Sequence, residues 1–382
     1  MRGDVLQYRK FGKHEIEVSV LGYGCMRFPT IDGDYNVINE EEAMKLLRHA
    51  IDNGVNYVDT AYGYHGGNSE YFVGKALQDG YREKVYIATK LPMWHVKEEA
   101  DFDRLIHEQL EKLQTDHIDM YLLHALNADH WNTVKRCNIL NKMIEAKKEG
   151  KIKYIGFSFH DELHVFKEII DSFDWDFCQI QYNFLDEYYQ AGKEGLDYAA
   201  AKDIAVVIME PLKGGEITIN PPKEVMELYQ QADVQRLPAD WGLRWILNNP
   251  KVTMLLSGMG TMEQVQQNIE TVSTSLADSM TPAELELIKK VQDTYQTLAL
   301  IGCTDCKYCM PCEFGVDIPG NFALYNQFIK DKQSIEYKKS YLSFIENKED
   351  AGSCVECGKC EEACPQHLNI RELLKTVHKT LA

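Results

Sequence analysis

The chain predicts a (β/α)8 barrel over residues 1–297, followed by a small, mainly helical cysteine-rich domain over residues 298–382. Two observations carry this reading. Short apolar runs alternate with amphipathic helical patterns from about Val18 to Gly258, and eight of the eleven cysteines fall in the last eighty of 382 residues. Strands covered by helices on both faces read as continuous apolar runs, which is the pattern found here. A doubly wound open sheet is the runner-up, but no glycine fingerprint follows the first strand in the required register.

The strand candidates are Val18–Gly22, Tyr57–Asp59, Val85–Thr89, Met120–Leu123, Tyr154–Phe157, Cys178–Tyr182, Val206–Met209 and Met254–Leu256. Between them, Glu41–Asn53, Asp101–Leu113, Asn132–Glu149 and Asp161–Asp171 repeat apolar residues every three or four positions, as helices do. Gly54 and Gly150 stand where C-caps belong. Ahead of the barrel, Tyr8–Val18 alternates around Gly12-Lys13 and predicts a β-hairpin. After the last strand, Thr281 and Pro282 predict an N-cap and first helical position, with the helix running to about Tyr295.

Composition narrows the function classes. An apolar content of 45% supports a real core, and a net charge of −18 disfavours nucleic acid or an anionic membrane as partner. Met1–Lys10 lacks the apolar stretch of a signal peptide, and no run is long enough to span a bilayer. Together with unpaired cysteine usage, this predicts a cytoplasmic protein.

The cysteine runs are Cys303, Cys306, Cys309, Cys312 and Cys354, Cys357, Cys360, Cys364, the latter followed by Pro365. The second has the spacing of bacterial iron–sulfur ligation, in which the fourth cysteine serves the other cluster. Two [4Fe-4S] clusters are therefore expected, with Cys364 joining the first triplet and Cys312 the second. Zinc needs only two C-x-x-C pairs, and disulfides need an oxidising compartment. The first run departs from the pattern, since its fourth cysteine is only three positions on and its proline, Pro311, precedes it. Cys25, Cys137 and Cys178 show no pattern.

Barrel chemistry sits at the C-terminal ends of strands. There the sequence offers Asp59, Tyr64 five residues later, Lys90 and His124. Each alone has an ordinary reading as a cap, a packed ring, a solvated lysine or a core histidine. Together, on consecutive strand ends, they form a candidate proton-transfer site.

The strings Val58-Asp59-Thr60-Ala61-Tyr62-Gly63-Tyr64, Ala88-Thr89-Lys90 and Tyr121-Leu122-Leu123-His124 resemble the catalytic regions of aldo-keto reductases, over roughly Leu6 to Val272. The tail resembles the ferredoxin-like extension of one bacterial branch. The resemblance implies Tyr64 as general acid, Lys90 as the cation that lowers its pKa, Asp59 as the anion holding Lys90, and His124 orienting a carbonyl. It also implies an NAD(H) or NADP(H) site at Gly24, Cys25, Met26, Ser158, Gln179 and Met209. Lys213 and Gly214 would meet the pyrophosphate, and Ser257, Gly258, Met259, Gln264 and Asn268 the adenosine end. No lysine or arginine lies within Ser257–Gln264 to pair with a 2′-phosphate, which favours NADH or dual use.

The expected function is hydride transfer between a nicotinamide and a small carbonyl or alcohol substrate. The alternative is an electron relay through the clusters to a redox protein partner. Trp94, His130 and Trp131 lie in loops able to line a substrate pocket.

Overall fold

The structure, a computed structural model, describes residues 6–382. The chain divides into two compact units: residues 6–211 with Gly242–Met280, and Leu212–Trp241 with Thr281–Ala382. The second unit thus takes in a segment from between the last two barrel strands as well as the cysteine-rich region.

In the first unit, β1 (Tyr8–Lys10) and β2 (Glu17–Ser19) pair antiparallel as the expected hairpin. Eight parallel strands then close a barrel: β3 (Leu21–Gly24), β4 (Tyr57–Asp59), β5 (Tyr86–Leu91), β6 (Ile118–Leu126), β7 (Ile152–Phe159), β8 (Phe177–Gln181), β9 (Ala205–Met209) and β10 (Met254–Ser257). Neighbours in sequence are neighbours in the wall, and β10 closes on β3. Tyr57, Ala88, Met120, Leu122, Phe177, Val207 and Met254 fill the interior as one apolar cluster, joined by Phe11 of the hairpin. The barrel is therefore a packed core whose free surface for chemistry is its rim.

Helices Glu40–Asp52, Ala100–Leu113 and Leu163–Ser172 follow the expected segments within two residues. Gly54 and Gly150 follow their helices with positive φ. The helix expected over Asn132–Glu149 is instead two, Ala128–Arg136 and Ile139–Lys148. The cause is local. The buried positions run Trp131, Val134, Cys137, then Ile139, Met143, Ala146, and the two-residue step from 137 to 139 breaks helical phase. Asn138 absorbs the break at φ 54°, a conformation asparagine tolerates well, and its amide donates to Glu99.

The second unit is mainly helical. Thr281 caps Pro282–Gln296 in a reciprocal capping box with Glu284. Ile318–Lys330, Ile335–Asn347 and Ile370–Leu381 bury Ile318, Phe322, Phe328, Tyr341, Leu374 and Val377 around one small core. Two buried asparagines of the helix Ile318–Lys330 tie down the approaches to the cysteine runs. Asn326 exchanges two 2.8 Å bonds with the backbone of Ile301, and Asn321 accepts from Ala351 N at 2.9 Å. Within this unit Gly214, at φ 62°, sits so close to the Thr304 backbone that a Cβ would stand 2.3 Å from its carbonyl oxygen. Only glycine fits there.

Among the described residues no helix is long and apolar enough to cross a membrane.

Candidate functional site

The rim of the barrel brings the four strand-end residues together. Register pairs β4 with β5 and β5 with β6, so Asp59, Lys90 and His124 lie on three adjacent strands. Lys90 Nζ donates to Asp59 Oδ1 and Oδ2 at 2.8 and 2.9 Å, to the Thr60 carbonyl at 2.7 Å, and reaches Tyr64 Oη at 3.5 Å. Tyr64 opens a single turn, Tyr64–Gly67, in which His65 and Gly66 adopt left-handed backbone. All four side chains are buried. A buried ammonium is tolerable only when paired and hydrogen-bonded, and here one carboxylate and one carbonyl meet that need. Burial still pushes the Asp59 carboxyl up, against the opposing pull of Lys90.

His124 stands beside Tyr64 with ring centroids 6.3 Å apart, and the Trp94 and His124 ring centroids are 5.0 Å apart. Its position depends on an irregularity in β6. Pairing with β7 shifts between Leu123 and Leu126, and Ala125 takes φ 51°. Ser158 Oγ accepts from Ala125 N at 2.8 Å, and His130 Nδ1 lies 2.7 Å from the Ala125 carbonyl. Bulges of this kind re-aim a side chain at the end of a strand. Burial, then the Lys90 charge, holds the His124 imidazole well below its ordinary value, so it is neutral at pH 7.

Of the residues expected to meet a nicotinamide, Gln179 is the most telling. It is buried on β8, its Nε2 is 3.6 Å from Met209 Sδ, and its Oε1 has no hydrogen-bond partner. An unsatisfied buried amide oxygen costs free energy and suits a carboxamide donor. Gly24 ends β3 beside Ser257 and Gly258, where a Cβ on it would lie 3.4 Å from that backbone. Met26 follows Cys25 in the turn Cys25–Arg27. Tyr23 Oη donates to Met259 O at 2.7 Å. Gln264 Oε1 accepts from Gly260 N, and Asn268 Nδ2 donates to Ser257 Oγ. The aliphatic stem of Arg27 lies over Gly258, where a Cβ would be 3.0 Å from its own. A basic residue thus adjoins the segment that has none of its own, brought there by β3 rather than by β10. Lys213 and Gly214 belong to the second unit, and the approach of Thr304 by itself explains the glycine.

All eleven cysteines are described and none is in a disulfide. Cys303, Cys306, Cys309 and Cys364 line one cavity with Pro365 and Phe322. Cys312, Cys354, Cys357 and Cys360 line a second, of about 180 Å³, which Cys309 also borders. Burial and the crowding of Cys306, Cys303 and Cys364 push the Cys309 thiol far up. Four soft sulfur donors around a cavity form a donor set that fits an iron–sulfur cluster.

The model of the aldo/keto reductase family matches residues 20–289. The chain belongs to that family. A model of the 4Fe-4S dicluster domain matches residues 302–368, so this aldo-keto reductase carries such a domain on its C-terminal side. Among curated relatives, it is 26% identical to an uncharacterized oxidoreductase of Bacillus subtilis strain 168, YqkF, over 76% of this chain and 99% of that protein. It is also 26% identical to the NADH-specific methylglyoxal reductase of Escherichia coli K12, over 70% and 94% of the two chains. Among solved structures, the holo form of an aldo-keto reductase from Bacillus halodurans superposes with TM-score 0.62 at 26% identity, covering 75% of this chain and 96% of the other. A Klebsiella pneumoniae aldo-keto reductase in complex with NADPH shares the fold, with TM-score 0.63 at 22% identity and coverage of 75% and 95%. The protein is an oxidoreductase by family.

Behind the rim of this aldo-keto reductase lies a polar group to which the sequence reading assigned no role: Ser69, Glu70, Thr89 and Gln109, all fully buried. A signal for it existed. Glu70 occupies the same helical face as buried Val73 and Leu77, and Gln109 the same stripe as Phe102, Leu105, Ile106 and Leu113. A charge or amide at a core-facing position needs a partner, and that need points inward.

Proposed function

We propose that the barrel interconverts small carbonyls and alcohols using a nicotinamide dinucleotide. One observation carries this reading: a buried lysine bridges the Asp59 carboxyl and the Tyr64 phenol beside a buried histidine. The bound nicotinamide would supply or accept hydride. Tyr64 donates its phenolic proton to the carbonyl oxygen during reduction and takes it back during oxidation. A free phenol has a pKa of about 10, and an ammonium at hydrogen-bonding distance favours the phenolate, which makes the proton easier to move near neutrality. Asp59 holds Lys90 in place through two hydrogen bonds. Neutral His124 orients the carbonyl oxygen toward Tyr64, adding no second cation that would compete with Lys90.

Gln179 Oε1 and Ser158 would hold the carboxamide, Gly24, Cys25, Met26 and Met209 the ring and ribose, and Ser257, Gly258, Met259, Gln264 and Asn268 the adenosine end. We infer NADH or dual use, supported by the absence of a cation in Ser257–Gln264 and by a relative named for NADH and methylglyoxal. A panel of aldehydes, ketones and quinones with both nucleotides tests the reading. The expected result is turnover that Tyr64→Phe abolishes while nucleotide binding persists; a fully active variant contradicts it.

In the second unit we propose two [4Fe-4S] clusters, one held by Cys303, Cys306, Cys309 and Cys364, the other by Cys312, Cys354, Cys357 and Cys360. The shared cavity linings support that exchange of fourth ligands. Clusters of this type exchange electrons singly. A second reading, relay to a redox protein, is favoured by exposed Cys357, flanked on its cavity by exposed Phe314 and Val355. Anaerobic mixing with NADH or NADPH separates the readings, since rapid bleaching of cluster absorbance supports a relay and its absence a structural role.

A further inference from the structure

Both ends of Lys90 are gripped from behind the barrel wall by one short helix. The helix Ser69–Ala76 begins two residues after the turn that carries Tyr64. Its first residue, Ser69, shares a 2.8 Å hydrogen bond with the Thr60 hydroxyl, and its Oγ is 3.3 Å from the Cys25 carbonyl. Thr60 in turn offers the backbone carbonyl that accepts from Lys90 Nζ at 2.7 Å. Its second residue, Glu70, accepts through Oε1 from the Thr89 hydroxyl at 2.6 Å and from Gln109 Nε2 at 2.7 Å. Gln109 Nε2 also donates to the Lys90 carbonyl at 3.0 Å, and its Oε1 accepts from Tyr121 Oη at 2.8 Å.

We propose that Ser69 and Glu70 are positioning residues that set where the Lys90 ammonium stands relative to Tyr64, Ser69 through Thr60 and Glu70 through Thr89 and Gln109. The inference rests on the reading that Lys90 tunes the Tyr64 phenol. Three features support it. Glu70 is wholly buried, and a buried carboxylate is retained against a large desolvation cost only where hydrogen bonds and charge compensate it. Compensation comes from Thr89, Gln109 and, at 3.6 Å from Oε2, Lys112. The two gripped groups are the main chain of Lys90 itself and the backbone acceptor of its ammonium, which together limit where Nζ can move. Glu70 Oε1, Thr89 and Gln109 are bound together by hydrogen bonds, whereas Glu70 Oε2 has no hydrogen-bond partner and only the Lys112 charge beside it. Finally, the helix is seated by Gly74, where a Cβ would lie 2.5 Å from the Lys112 carbonyl oxygen. That close approach locks it to the helix that bears Gln109, so Tyr64, Lys90 and Gln109 share one frame.

The test compares Glu70→Ala and Thr89→Val in the full cluster-bearing protein. Three quantities are read: nucleotide affinity by NADH fluorescence, kcat and KM across pH, and the ultraviolet titration of Tyr64 taken as wild type minus Tyr64→Phe. A displaced catalytic group commonly costs one to two orders of magnitude, so kcat should fall by about tenfold or more while KM and nucleotide affinity stay within about twofold. The Tyr64 titration and the matching limb of the pH profile should both move to higher pH. Glu70→Gln, which keeps the acceptor oxygen, should recover most of the loss. Unchanged kcat and titration in a folded variant overturn the proposal, as does a loss of kcat in step with nucleotide affinity while the titration stays put. If Glu70→Ala does not fold, Thr89→Val decides by the same criteria. Should the wild type reduce no carbonyl, the reading of the reaction fails, yet the Tyr64 titration still decides whether this helix sets the lysine.

Discussion

Replacing Lys90 by methionine separates the chemistry assigned to it from its packing. Methionine retains most of the buried volume and removes the charge 3.5 Å from Tyr64 Oη. At that separation, with an effective dielectric of about 20, the ammonium stabilises a phenolate by on the order of 5 kcal/mol. Part of that is offset. Burial already pushes Asp59 toward its neutral form, and without Lys90 it would take up a proton, so no net negative charge is left facing the phenol. Alcohol oxidation needs the phenolate and should fall by about 10²- to 10³-fold near neutral pH, at 1.36 kcal/mol per decade. Raising the pH should restore part of the loss. Carbonyl reduction needs the protonated phenol and should fall less. The assay is the pH dependence of both directions, with nucleotide binding followed by fluorescence as a control for folding. A variant that binds nucleotide and keeps the wild-type pH dependence of oxidation would refute the role given to Lys90.

Other outcomes follow from the same geometry. Burial and Lys90 hold His124 far below the ordinary imidazole value, so the unfolded chain takes up a proton near pH 6.5 that the folded chain refuses; stability should decline as pH falls below about 6.5, and His124→Gln should flatten that decline in denaturant titrations. Gln179→Leu removes an amide whose oxygen has no hydrogen-bond partner within the protein, so thermal stability without nucleotide should hold or rise while nucleotide affinity drops by about tenfold, measured by calorimetry. Cys364→Ser should remove about half of the iron and acid-labile sulfide and leave a cluster on Cys312, Cys354, Cys357 and Cys360, checked by iron analysis and low-temperature EPR.

The barrel was legible because its strands are apolar on both faces. Runs such as Tyr121-Leu122-Leu123 have no other plausible home, and β10 returning to β3 closes what the alternation began. Asp59, Lys90 and His124 were legible for the same reason, since each follows an apolar run on the C-terminal side of a strand, with Tyr64 in the loop after the first of them. The helix break at Asn138 was not read, although the phase slip from Cys137 to Ile139 was there to find. The membership of Leu212–Trp241 in the second unit had no local signal at all. Its buried Ile217, Val225 and Tyr229 suit any core, and contacts such as the Gly214–Thr304 approach, the 2.6 Å Lys330–Glu216 pair and the Arg236–Glu284 pair show which one they join. Gly214 was read from its motif as a pyrophosphate contact, and the Thr304 approach gives that glycine a packing role as well, which the sequence alone does not show. Glu70 and Gln109 were passed over because polar residues on helices are ordinary until burial is known.

The central claim is that Tyr64 and Lys90 carry out hydride chemistry which needs no electron from the clusters. Deuterium transfer tests it most directly, using the intact protein, 4-deuterated NADH or NADPH and a carbonyl it reduces. The account predicts that the alcohol carbon acquires the label with one face of the nicotinamide as donor, and that Tyr64→Phe binds nucleotide yet transfers none. Product formed at the wild-type rate without label, its new carbon-bound hydrogen drawn from solvent, would contradict it and assign the reaction to the clusters.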